Sequence, residues 1–257
     1  DGKSPKTIKN ILTVLNSALE QAVKTQTIQR NPAKYAKLPS VRVKDIHPLS
    51  PAEIVSFVAA AQDSTYYAPL MCCLFLGLRE GEALGLAWEH IDFENSKAII
   101  CQQLQKDKSK NGKFYIQQGT KNGQSRILDV PDFLLEILQD ERQRQMRAHL
   151  AAGPAWQNTW GLCFTDAIGQ CINPHTLWAN FKRIAASIGL PDARVHDLRH
   201  TSATLALING DDVKTVQANL GHATAAFTLQ RYVHASEEMK RASANRMQQF
   251  FIDNVKK

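Results

Sequence analysis

The chain has 257 residues, enough for one large domain or two modest ones, and with 44% hydrophobic and 21% charged residues it has the composition of an ordinary globular protein. Thirty-one Lys and Arg against 24 Asp and Glu leave a formal charge of +7, which favours a polyanionic partner, nucleic acid being the commonest. Composition speaks against a membrane span, since no apolar run is long enough, and the five cysteines, odd in number and without a C-x-x-C pair, suggest neither a disulfide framework nor a zinc site but a reducing cytoplasm.

The first residues, Asp1 to Lys6, lack the pattern of a signal peptide, and without an initiator Met the chain is expected to be a fragment. From residue 7 to 26 the spacing predicts a helix, with Ile8, Ile11, Leu12, Leu15, Leu19, Ala22 and Val23 on one face. A second short helix is predicted after Asn31-Pro32. So little helix buries no core alone, so residues 1–38 read as the end of a small helical domain. The stretch 39–49, bracketed by Pro39 and Pro48 and without periodicity, reads as a linker.

The second domain is expected to begin at Ser50. Ser50-Pro51-Ala52-Glu53 is a capping box, opening a helix to about Gln62. An apolar helix from Tyr67 to Leu76 follows; Cys72 and Cys73 fall inside it, as small buried hydrophobes. Gly77 breaks the pattern, and Glu80 to Trp88 reads as one or two further turns. Lys97 to Leu104, Lys113 to Gln118 and Arg126 to Val130 are β-prone, with Asn122-Gly123 as a hairpin signal before the last run. Together they predict a small antiparallel sheet. The basic stretch Lys106 to Lys113 reads as a solvated loop. A long helix spans Phe133 to Leu150, with Glu141, Arg142, Arg144 and Arg147 read as a solvated face. Helices then open at Asn173-Pro174, at His196 and after Asp211-Asp212, and an amphipathic helix from Glu237 to Val255 closes the chain.

The densest polar cluster is His196-Asp197-Leu198-Arg199-His200. On a helix His196 and Arg199 share a face. His196 and His200 have the spacing of a metal pair, but no third ligand is evident, and a hydrogen-bonded core role is the commoner one for a single His. A buried Arg199 needs an anion, either an internal carboxylate or a ligand phosphate. Leu220-Gly221-His222 follows, with Tyr232 ten residues beyond. Upstream, Arg79 stands beside a helix start and Lys121 beside the Asn-Gly turn. As a set these residues suit metal-free phosphodiester chemistry: two arginines to clamp non-bridging oxygens, histidines to move protons near neutral pH, a lysine to protonate a leaving alkoxide and a tyrosine nucleophile.

In this order the motifs resemble those of the tyrosine recombinase, or phage integrase, family across residues 50–236. Leu78-Arg79-x-Gly81-Glu82-x-Leu84-x-Leu86-x-Trp88 with Ile91-Asp92 is similar to the family's first arginine box, and Thr120 to Arg126 with Val130-Pro131 to its β-hairpin lysine segment. His196 to Thr201 is similar to the H-x-x-R box, and Leu220-Gly221-His222 with Thr228 and Tyr232-Val233-His234 to the terminal box. The resemblance implies a mainly α catalytic domain with a small antiparallel β-sheet, preceded by the end of a helical, SAM-like core-binding domain. It implies that Tyr232 attacks the scissile phosphate and becomes a 3′-phosphotyrosine. Arg79 and Arg199 hold the phosphate, Lys121 is the acid for the 5′-oxygen, His196 is the base or hydrogen-bond partner of the tyrosine, His222 contacts a non-bridging oxygen and Glu82 supports Arg79. No cofactor, metal or ATP is implied.

By the same resemblance the expected partner is double-stranded DNA at a recombination site, with dimers to tetramers of the chain in a synapse, in a bacterial cytoplasm at the nucleoid. The expected role is integration and excision of a mobile element such as a conjugative transposon. The segment 237–257 either packs on its own domain or is exchanged with a neighbouring protomer. A type IB topoisomerase shares the chemistry but fits the short catalytic domain and the Leu-Gly-His motif less well. A non-catalytic DNA-binding module predicts loss of Tyr232 or an arginine, and a phosphatase or nuclease would hydrolyse its intermediate.

Overall fold

The structure is a computed structural model, and it describes residues 2–39, 48–107, 112–119 and 125–221, with Asn245. The chain forms two compact units, 1–45 and 46–257.

In the first unit, helix α1 (Pro5–Lys24) lies two residues ahead of the predicted 7–26, because Pro5 takes its first turn and the Ser4 hydroxyl caps it by accepting the Thr7 N–H at 3.2 Å. Its apolar stripe is only partly covered by the described residues: Leu12, Leu19, Ala22 and Val23 are half-buried, no α1 residue is fully buried, and Ile11 is 58% exposed. The predicted second helix is a single 3₁₀ turn, Pro32–Tyr35. Asn31 fastens that turn to α1. Its side-chain oxygen caps the turn at Ala33 N–H (2.9 Å), while its amide donates to Glu20 Oε1 (2.6 Å) and Asn16 Oδ1 (2.8 Å).

The second unit opens on the predicted capping box. Ser50 N–H donates to Glu53 Oε2 (2.7 Å) and Glu53 N–H to Ser50 Oγ (3.3 Å), so two of the orphan donors at the start of α2 (Pro51–Ala61) are met reciprocally. Helix α3 (Tyr67–Phe75) is the centre of the core, with every residue from Ala68 to Leu74 buried. It packs on α5 (Asp132–Ala152) and α7 (Val195–Ile208), while α2 lies on α6 (Pro174–Ser187). Cys72, Cys73 and Cys163 are buried there, and burial pushes the Cys72 thiol up to about 12, so these are packing residues. Short helix α4 (Glu80–Leu84) follows α3, and α8 (Val213–Leu220), capped by Asp212 onto the Lys214 and Thr215 N–H groups, follows α7.

The β-structure departs from the prediction of one sheet. The run 97–104 breaks at Cys101 into β2 (Lys97–Ile100) and β3 (Gln102–Lys106), and these join different sheets. β2 lies between β1 (Ile91–Asp92) and β5 (Arg126–Asp129), and β3 pairs with β4 (Phe114–Gln118), all antiparallel. Asn122-Gly123 lies outside the described residues, and the strands it separates, β4 and β5, are not partners. A run of β-prone residues carries no mark of which neighbour it will pair with, which is why the split escapes the pattern.

A second departure concerns the charged run of α5. Glu141 is buried and takes two hydrogen bonds from Arg144, at 2.8 and 2.5 Å, and Arg142 lies over the rings of Trp88 and Phe93 at 5.8 and 5.9 Å. This face is therefore partly an ion-pair and cation–π contact with the core's edge.

Helix α4 sits tightly on β3 because Gly81 and Gly85, one turn apart, face the strand. A Cβ at Gly85 would stand 2.6 Å from Leu104 N and 2.8 Å from the Gln103 backbone. Backbone of a sheet cannot step aside as a flexible side chain does, so G85A is expected to destabilise the protein by about 1–3 kcal/mol. A urea midpoint equal to that of the wild type would show that α4 is free to shift.

Candidate active site

The chain leaves α3 through Gly77, whose φ of +62° is the left-handed region that favours glycine, and a Cβ there would come within 2.6 Å of Leu220 Cδ2. The backbone then extends through Leu78 to Arg79, the residue before α4. Glu82, one turn further, is the hub of the site. It is 1% exposed. Its Oε2 accepts the Arg79 N–H at 3.0 Å, its Oε1 accepts the Arg79 guanidinium at 2.5 Å, and Arg126 on β5 donates to both oxygens, at 3.2 and 2.7 Å. A third guanidinium, that of Arg199, stands 3.8 Å away. Burial pushes the Glu82 carboxyl up, but the Arg126 and Arg79 hydrogen bonds and charges outweigh it and bring it down to about 2.

Arg199 comes from α7. It is 1% exposed, and its guanidinium donates to the Gly77 carbonyl at 2.6 Å and to the Leu220 carbonyl. These bonds fix the plane of the guanidinium and tie the end of α3 to the end of α8. Arg79 reaches the same turn, donating to the Gly221 carbonyl at 3.4 Å. Gly221 ends α8 with φ +62°, the left-handed position at which helices commonly stop, and His222 follows it in sequence.

His196 is in the first turn of α7, three residues before Arg199. It keeps an exposed edge and lies edge-to-face on the buried His200, with ring centroids 4.6 Å apart. Partial burial, then the Arg199 charge and more weakly those of Arg79 and Arg194, hold its imidazole below the usual range, with Asp197 opposing them. The neutral ring, which has one nitrogen able to accept a proton, is therefore favoured at neutral pH. Two neighbours set the start of α7. Asp197 caps it by accepting the Arg194 N–H at 2.9 Å, and Thr201 binds the Leu49 N–H at 2.9 Å.

Thus the structure brings Arg79, Glu82 and Arg199 together and sets His196 on the same helix as Arg199. Lys121, His222 and Tyr232 lie outside the described residues, as does the closing helix expected at Glu237 to Val255. Arg126, at the end of the lysine segment, is a site residue that the sequence reading leaves without a part. Its signal is its phase: on β5 it alternates with Ile127 and falls on the side of the buried Leu128, where an arginine needs a partner.

The described residues thus form a mainly helical domain with two small antiparallel sheets that gathers three arginines around one buried carboxylate. Residues 47–239 match the model of the Phage integrase family. The chain belongs to the phage integrase family and is a site-specific tyrosine recombinase. It is 30% identical to a tyrosine recombinase XerC-like protein of Caldanaerobacter subterraneus subsp. tengcongensis, over 98% of this chain and 68% of that one. It is 25% identical to the ICEBs1 integrase of Bacillus subtilis, over 96% of this chain and 66% of that protein. Among solved structures it resembles the Tn1549 transposon integrase in complex with circular intermediate DNA, with 25% identity, a TM-score of 0.76 and coverage of 95% of this chain and 80% of that one.

Proposed function

We propose that this recombinase cuts and rejoins double-stranded DNA at a specific site through a 3′-phosphotyrosine at Tyr232, to integrate and excise a mobile element. The observation that carries the reading is the convergence of Arg79 and Arg199, 120 positions apart in the chain, on one carboxylate beside the turn that leads to His222. Two guanidiniums so fixed suit the two non-bridging oxygens of a phosphodiester and the charge that grows on them in the transition state.

In this reading the Tyr232 oxygen attacks phosphorus, the P–O bond to the 5′-oxygen breaks, and Lys121 supplies the proton to that oxygen. His196, held neutral, accepts or orients the tyrosine proton, and His222 donates to a non-bridging oxygen. Glu82 holds Arg79 from behind and does not meet the phosphate. Attack of a 5′-hydroxyl from another strand on the phosphotyrosine reverses the sequence and joins the DNA, with the bond energy kept in the adduct. Residues 50–236 form the catalytic domain, 39–49 the linker and 1–38 part of a helical core-binding domain. The segment 237–257 serves contacts between protomers as dimers assemble into a tetrameric synapse. Among the described residues no helix is long and apolar enough to cross a membrane, and the proposed place of action is the bacterial nucleoid.

The test is covalent trapping. Nicked duplexes of varied sequence are incubated with the protein in excess chelator and run under denaturing conditions. A protein–DNA adduct is expected for the wild type and none for Y232F, and sequencing the trapped DNA gives the site. An adduct that survives in Y232F would remove Tyr232 as nucleophile, and one abolished by chelator would remove the metal-free mechanism.

A further inference from the structure

We propose that Arg126 is a positioning residue for strand cleavage, the tie that sets Arg79, Glu82 and the turn before His222 in one fixed relation. The inference rests on the recombinase reading above and names a residue that reading does not use. Every nitrogen of the Arg126 guanidinium has a protein acceptor. Nη1 and Nη2 donate to the two oxygens of Glu82, and Nε donates to the Asn219 carbonyl at 2.7 Å. Its side chain is 9% exposed.

Three parts of the candidate site are therefore joined by one planar group. Through Glu82 it meets the residue that holds both the backbone and the guanidinium of Arg79. Through Asn219 it holds the last turn of α8, two residues before Gly221 and three before His222. Through its own strand it anchors β5, which begins five residues after Lys121 and is bound to β2 along its length. Gly221 makes the approach possible, since a Cβ there would stand 3.3 Å from Arg126 Nη1 and 3.4 Å from its Cδ.

The fork explains why arginine is used. A lysine ammonium at this place is a point donor and cannot span two carboxylate oxygens and a carbonyl at once. Bonded at each nitrogen to Glu82 or to the Asn219 carbonyl, Arg126 is assigned to holding the site together and not to the phosphate. Its loss should instead let Arg79 and the α8 turn drift, and a displacement of about 1 Å in such a group slows chemistry by about 10²-fold.

The experiment measures single-turnover adduct formation, DNA affinity at several salt concentrations, and thermal unfolding, for wild type, R126K, R126A, E82Q and the double variant R126A/E82Q. Expected for R126A and R126K is cleavage slowed by about 10²-fold, with affinity and its salt slope as in the wild type. Expected for the double variant is a loss no greater than that of the worse single one, because both act through the same carboxylate. A flatter salt slope in R126A, which removes the charge, would mean a phosphate contact and overturn the inference, as would a double-variant loss equal to the product of the single losses. Should R126A fail to fold, R126K decides alone, and cleavage by it at the wild-type rate overturns the inference. Absence of an adduct from the wild-type protein would overturn the recombinase reading itself, a result distinct from equal adducts in wild type and R126K.

Discussion

Replacing Arg199 by alanine is expected to slow strand cleavage by about 10²–10³-fold and to loosen the fold in the same stroke. The first effect comes from removing one of two groups set to stabilise charge on the phosphate. The second comes from the Gly77 and Leu220 carbonyls, which the guanidinium satisfies where Arg199 is 1% exposed. Each carbonyl left without a donor costs about 1–3 kcal/mol. R199K should recover little of either, since an ammonium cannot reproduce the planar fork between two carbonyls. Single-turnover cleavage of a nicked duplex and urea unfolding, measured on the same samples, test both parts. An R199A protein that is as stable as the wild type but inactive would mean that the two carbonyls find other donors.

E82Q is the second large effect, and its signature lies in acid. The Glu82 carboxyl ionises at about 2 in the folded protein against an ordinary 4.5. A depressed carboxyl contributes stability that is complete above the higher value and fades as pH falls through the window from 4.5 to about 2, a contribution of about 3 kcal/mol. E82Q also leaves Arg79, Arg126 and Arg199 facing one another without a counter-charge, and breaking such a buried arrangement costs about 3–5 kcal/mol. At neutral pH the variant should therefore be markedly less stable, and the gap should narrow as the wild type is acidified into that window. Cleavage should fall as well, because Arg79 loses the group that orients it. A constant gap in unfolding free energy from pH 7 to pH 2.5 would show that Glu82 is not the carboxylate the arginines share.

Much of this arrangement is legible in the amino-acid order, and the parts that are not share a cause. The Ser50–Glu53 box and the helix start at Asp212 are local, each settled by a few neighbouring residues, and they fall where the pattern puts them. The H-x-x-R spacing sets His196 and Arg199 on one helix, and the i,i+3 spacing sets Glu82 under Arg79. Long-range choices are another matter. The break at Cys101 sends β2 and β3 to different sheets, and nothing within 97–104 records which strand each will meet. Glu141 and Arg142 read as solvated because a charge run looks the same whether water or Trp88 lies opposite. Arg126 needed a glutamate 44 positions away, and α1 shows the reverse case, a clear apolar stripe that the described residues leave only half covered.

The two carbonyl bonds of Arg199 have a practical consequence for anyone wishing to make an inert decoy, a protein that occupies recombination sites and blocks the active enzyme. Disabling the chemistry at Arg199 would also unfasten α3 from α8, so the decoy would be short-lived and poorly shaped. Reaction and architecture are inseparable at that position. In the proposed mechanism a decoy is better made at Tyr232, the proposed nucleophile, because Y232F spares the Arg199 bonds to Gly77 and Leu220.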